Sequence, residues 1–173
     1  MMTTASKERN PGLFARLFGA RADDRSALYD TIVAEGRRPE YYAIYGVPDT
    51  NDGRFDMIAL VLSLVLLRLE REGADHDSVR LTERFIADMD GQIREIGFGD
   101  LVVGKQVGGI MAVLGGRLGA YRKAVDAETL SRTLWRNNPP AEPVLSDAVR
   151  RIHQLQVRID STPLDALLAG RIA

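Results

Sequence analysis

Between Leu81 and Tyr121 two helical patterns run back to back across a Gly-rich corner, Gly97-Phe98-Gly99-Asp100. In the first, apolar residues fall at Leu81, Phe85, Met89, Ile93 and Ile96, a spacing that lines one face of a helix. Glu83, Arg84, Asp88, Asp90, Arg94 and Glu95 take the other face. The second pattern runs from Leu101 through Val107, Ile110, Met111, Leu114 and Leu118. Within it Gly104, Gly108, Ala112, Gly116 and Ala120 recur at every fourth position. On a helix they form a ridge almost without side chain. Each interior Gly costs about 1 kcal/mol relative to Ala, a cost that close approach of another backbone offsets. The expectation is one central helix from Asp100 to about Lys123 with a neighbour packed on the ridge. The alternative is that the glycines divide the segment into short helices.

The remaining chain is also helical in pattern. Ser26 to Gly36 reads as a helix with Leu28, Tyr29, Ile32 and Val33 inward. Residues 37–53 read as a long loop, interrupted by Pro39 and Pro48 and carrying Tyr41, Tyr42 and Tyr45. These aromatics anchor the loop or grip a ligand. A helix over about Arg54 to Glu72 follows, capped by Asn51 or Asp52. Its run from Met57 to Leu67 is apolar apart from Ser63, which marks a buried core helix. That run is too short for a bilayer, which needs about 20 residues. Ser78 is the expected cap of the next helix, with Asp77 beside its positive dipole end. Beyond the glycine ridge, helices are expected over Ala127–Arg136, Pro143–Ile159 and Ser161–Ala169, the last with Thr162 as cap and Pro163 first. No stretch alternates as a strand does. The fold class is all-α, a single-domain bundle of about six to eight helices over residues 23–173, preceded by a flexible basic segment over residues 1–22.

Bulk properties exclude several function classes. The chain has 173 residues, 45% hydrophobic and 27% charged, as in an ordinary soluble domain. Its net charge of −1 gives no general footprint for nucleic acid. It has no cysteine, so disulfides, thiolate chemistry and Cys metal sites are absent. No secretory signal is visible. Charge is uneven: residues 49–100 carry a net −6 and residues 101–173 a net +4. This asymmetry serves attraction within the fold or makes an acidic face for a basic partner. Near the start, Leu13, Phe14, Leu17 and Phe18 form an apolar stripe beside Arg16 and Arg21. Such a turn lies on an anionic membrane surface or docks on the domain.

Catalytic motifs are absent or imperfect. Gly99 to Lys105 has the spacing of a phosphate-binding loop, but Gln106 stands where Ser or Thr would hold Mg²⁺, and no strand precedes it. Asp49-Thr50-Asn51-Asp52-Gly53 resembles a Ca²⁺ loop, but its Gly is one place early and no Glu closes it. His76 and His153 have no ligand spacing. Asp88, Asp90 and Glu95 are the carboxylates available for acid–base work. The residues point to no catalytic site, no metal and no cofactor.

Two longer motifs carry a family resemblance. Val47-Pro-Asp-Thr-Asn-Asp-Gly-Arg-Phe-Asp56 is followed by Asp88-Met-Asp-Gly-Gln-Ile-Arg-Glu-Ile-Gly-Phe-Gly-Asp-Leu-Val-Val-Gly-Lys105, then by Gly116-Arg-Leu-Gly-Ala-Tyr121. In this order they resemble the ubiquinol–cytochrome c chaperone family. Leu28-Tyr29, Arg38-Pro39 and Tyr42 also match, so the resemblance covers about residues 25–125. It implies an α-helical, non-enzymatic assembly factor for ubiquinol–cytochrome c reductase (respiratory complex III). Mitochondrial members bind newly made cytochrome b, hold it until haem and later subunits arrive, and act at the ribosome with a small partner. This chain shows no mitochondrial presequence and is similar to a bacterial relative. The expected partner is therefore unassembled cytochrome b, met in the cytoplasm or at the cytoplasmic face of the inner membrane. A peripheral membrane-surface or lipid-binding module is the alternative. The candidate client-binding residues are Asp49, Arg54, Asp56, Asp88, Arg94, Glu95, Asp100 and Lys105. The acids among them suit the basic cytoplasmic segments of a membrane protein. The cations either pair with those acids or reach the client.

Overall fold

The computed structural model describes residues 27–95 and 100–172, with side chains described outside residues 90–107. The run from Met57 to Leu67 decides the architecture. Each of its eleven residues is buried, Ser63 included. The Ser63 hydroxyl donates to the Ala59 carbonyl at 2.6 Å, which satisfies it inside the apolar core. A helix buried all round must be surrounded, and here it is the axis of the bundle.

The elements are α1 over residues 27–36, α2 (Pro39–Ala43), α3 (Asn51–Arg71), α4 (Asp75–Glu95), α5 (Asp100–Lys123), α6 (Ala127–Leu134), α7 (Val144–Ser161) and α8 (Leu164–Leu168). Among the described residues there is no strand. Helix α3 touches α4, α5, α6 and α7. Each neighbour presents one stripe to it: Leu81, Phe85 and Met89 from α4, Leu114 and Tyr121 from α5, Leu130 and Leu134 from α6, Ile152, Leu155 and Ile159 from α7. Fully burying one such side chain stabilises by about 1.5–3 kcal/mol. No described helix is long and apolar enough to cross a membrane.

Several boundaries differ from the sequence expectation. Residues 37–53 contain the short helix α2, with Pro39 at its start, where a missing N–H costs nothing. Thr50, not Asn51 or Asp52, caps α3, its hydroxyl accepting from the Gly53 N–H at 3.1 Å. Helix α4 begins at Asp75, one turn before Ser78, because the Ala74 carbonyl already takes the Ser78 N–H at 3.0 Å. Helix α6 stops at Leu134, since Arg136 and Asn137 turn left-handed at φ 51° and 66°. The Thr162 hydroxyl donates back to the Arg158 carbonyl at 2.7 Å, so it closes α7 instead of opening α8.

Helix α5 is a single helix despite its glycines. Among the described residues, the neighbour expected on its small-residue ridge is not there. A Cβ placed on Gly108 or Gly116 would meet nothing within 4 Å, and Ala112 is exposed. Leu114 and Tyr121, with the half-buried Ile110 and Leu118, face the core instead. Large side chains remove more apolar area from water than glycines do, so they take the inward face. From Gly108 to Gly116 the ridge is covered by none of the described residues.

Candidate functional site

The N-terminal end of α3 carries the most deeply buried charged side chain among the described residues. Asp56 is 1% exposed. One carboxylate oxygen accepts from Arg117 on α5 at 2.6 Å, the other from Arg136 after α6 at 3.3 Å. Arg136 also reaches Asp52 at 3.0 Å. The Arg117 guanidinium lies 5.6 Å from the Phe55 ring centre, and Phe55 packs on Phe85 of α4. A carboxylate can stay ionised in such a place only if it is paired. Hydrogen bonding to Asp56 and its charge raise the Arg136 pKa. Helix α3, helix α5 and the turn after α6 are thereby joined at one anion.

The other candidate residues are dispersed. Asp49 and Arg54 pair with each other at 2.8 Å in the open, both more than half exposed. With Arg37, Pro39, Tyr42 and Ala43 they line a cleft of about 660 Å³. Asp88 accepts from the Tyr29 hydroxyl at 2.8 Å, and burial, then this bond, drive the Tyr29 pKa well upward. The side chains of Arg94, Glu95, Asp100 and Lys105 lie outside the described residues, as does the whole of residues 1–22. Of the expected set, then, the structure brings Asp49 to Arg54, and buries Asp56 against two arginines outside the set. The tyrosines act as anchors: Tyr41 donates to Glu35 at 2.8 Å and Tyr42 to the Gly36 carbonyl at 2.6 Å.

The surface best shaped to receive another chain lies elsewhere, and sequence reasoning did not single it out. Leu66 and Glu70 of α3 form the floor of a groove of about 500 Å³ between α4 and α5. Its walls are Asp75, Ser78, Val79, Thr82, Glu83 and Ile86 on α4, with Met111 and Leu118 on α5. Val79 is 56% and Met111 39% exposed. Val113 and the glycine ridge continue this apolar face around α5. Glu70 pairs with Arg122. Asp75 and Glu83 are exposed and have no ion-pair partner among the described residues. The Ser78 hydroxyl is buried and has no hydrogen-bond partner among the described residues. The signal for the α4 wall was present in the spacing of Val79 and Ile86, seven residues apart and so on one face of the helix, beside Leu81 and Phe85.

A family model described as "Ubiquinol-cytochrome C chaperone" matches residues 43–173. The chain belongs to the ubiquinol–cytochrome c chaperone family. The match runs to the C-terminal helices, which the motif resemblance had left outside. The crystal structure of the Cbp3 homolog from Brucella abortus superposes with a TM-score of 0.79 at 29% identity, covering 93% of each chain. The chain has no match among curated protein sequences.

Two of the family motifs have a structural explanation here. In the first, Gly53 lies where a Cβ would sit 1.9 Å from the Pro48 carbonyl oxygen, so the turn into α3 closes only on glycine. The same motif ends on Asp56, and the last motif supplies Arg117, its ion-pair partner. Tyr121 of that motif is buried in the core, which pushes its phenol up to about 12. These chaperone motifs therefore tie α3 to α5 and fix the wall of the groove that α5 provides.

Proposed function

We propose that this protein is an assembly chaperone for ubiquinol–cytochrome c reductase that binds newly made cytochrome b, through the groove between α4 and α5. One observation carries the reading: an apolar trough is rimmed by the carboxylates of Asp75 and Glu83, which have no ion-pair partner among the described residues. Membrane proteins leave apolar segments flanked by Lys and Arg on the cytoplasmic side. Such a segment complements the trough in both respects. The solvent-facing glycines of α5 add a surface on which a client helix can approach backbone to backbone, as small residues allow between membrane helices. An anionic bilayer, by contrast, is repelled by the acid rim, which disfavours the membrane-surface reading for this face.

In this reading the chaperone works in the cytoplasm, at the cytoplasmic face of the inner membrane, where such a client is inserted. The exposed Asp49–Arg54 pair is screened by water and adds little to the fold, so both groups remain available to a client. Asp56 serves the fold alone. Deleting the gene and measuring cytochrome b and its haem spectrum tests the assignment. Loss of both is expected; normal levels of both contradict it.

A further inference from the structure

The chemistry that fits the groove also occurs in this chain. Leu13, Phe14, Leu17 and Phe18 form an apolar stripe, with Arg16 and Arg21 beside it. Residues 1–22 carry four Lys/Arg against one Glu. The groove offers the apolar side chains of Leu66, Ile86, Met111 and Leu118 and the acids Asp75 and Glu83, which have no ion-pair partner among the described residues. Apolar faces apolar and cation faces anion, a pairing that speeds encounter and fixes orientation.

The connection is also long enough. Helix α1 is fastened to α4 by Tyr29 donating to Asp88 at 2.8 Å and by Arg84 lying 5.7 Å from the Tyr29 ring centre. Arg84 and Asp88 project from the side of α4 opposite Val79 and Ile86, as their positions in the helical repeat require. A path from α1 to the groove must therefore pass around one helix, about 10–12 Å thick. The ten residues from Phe18 to Leu28 reach about 33 Å when extended. Tethering makes the encounter intramolecular, with an effective concentration on the order of mM for a short linker.

We infer that the amphipathic segment Leu13–Phe18 of this chain docks in the groove between α4 and α5, with Arg16 and Arg21 toward Asp75 and Glu83. The inference rests on the groove being a docking surface for basic apolar segments. The segment covers the apolar walls when no client is present, and a client must displace it. An empty chaperone thus does not expose Val79 and Met111 to a second copy.

The absence of native cysteine makes the test direct. In the full chain, Leu17→Cys combined with Val79→Cys is treated with a short bis-maleimide. Leu17→Cys with Val157→Cys is the control, since Val157 is 65% exposed on α7. The expected result is an internal crosslink at Val79, reduced several-fold by Asp75→Lys with Glu83→Lys, and little at Val157. Equal yields at the two positions, or none at Val79, overturn the inference. A product of twice the chain mass overturns it in favour of a second copy. No crosslink at Val79 together with sedimentation on phosphatidylglycerol vesicles overturns it in favour of the membrane. The measurement needs no cytochrome b, so this inference and the client assignment can fail separately.

Discussion

Asp56 and Arg117 stand 61 positions apart in the chain, and their side chains meet at 2.6 Å. The carboxylate is 1% exposed and the guanidinium 13%. This pair couples the core helix α3 to α5, the helix whose outer face is open. Removing one partner leaves a buried charge without compensation, which costs about 3–5 kcal/mol. Asp56→Ala is expected to lower Tm, at about 2–4 °C per kcal/mol for a chain of this size. Arg136→Ala, whose side chain is 58% exposed, should cost no more than about 1 kcal/mol. Thermal denaturation followed by circular dichroism measures both. Equal effects would refute the assignment of Arg117 as the principal partner.

Two glycine substitutions should act in opposite directions. Gly53→Ala places a Cβ against the Pro48 carbonyl oxygen and forces backbone to move, so it should destabilise by more than about 1 kcal/mol. Gly116→Ala meets nothing within 4 Å and improves helix propensity, so it should stabilise by up to about 1 kcal/mol. Urea midpoints give the two signs. A destabilised Gly116→Ala would mean that the α5 ridge is covered.

Substitution in the groove should separate folding from function. Val79→Glu and Met111→Glu alter exposed side chains, for which stability changes within about 0.5 kcal/mol are usual. Both should lower the cytochrome b level in cells while leaving Tm nearly unchanged. Wild-type cytochrome b in both variants would remove the groove from the account.

Alkaline pH should unfold the protein through its tyrosines. Burial holds the phenols of Tyr29 and Tyr41 well above their ordinary value and that of Tyr121 at about 12. In the unfolded chain these groups ionise near 10. The folded state thus binds more protons above that pH, and stability falls as pH rises through about 10–12. Tyrosinate absorbance should appear together with loss of helix, for these residues, in a single transition. Ionisation of all five tyrosines near 10 with the helix intact would contradict the burial.

Much of the fold was legible in the sequence, and the reasons are specific. Met57 to Leu67 has no polar face, so only a central position suits it. Leu81, Phe85 and Met89 show their stripe at helical spacing. Helix α2 was not legible because five residues are too few for periodicity to register. On α5 the pattern revealed two faces, glycine and apolar, but assigning the neighbour required knowing which face buried more area. Leu114, Leu118 and Tyr121 decided it, and the glycines were left outside. Asp56 was singled out as a charge on a motif, yet an acid in the second turn of a helix buried from there onward has to be neutralised within the fold. Arg117, in another motif, was the readable partner. The groove escaped notice because three helices contribute to it, and no local pattern joins Leu66 to Val79 and Met111.

The central claim is that an unassembled membrane subunit rests between α4 and α5. Its most direct test places a photo-activated crosslinking residue at Met111 in one strain and at Val157 in another, then probes for cytochrome b after irradiation. The account predicts a cytochrome b adduct from position 111 and none from position 157. An adduct from position 157 alone would put the client on the basic C-terminal helices and contradict it.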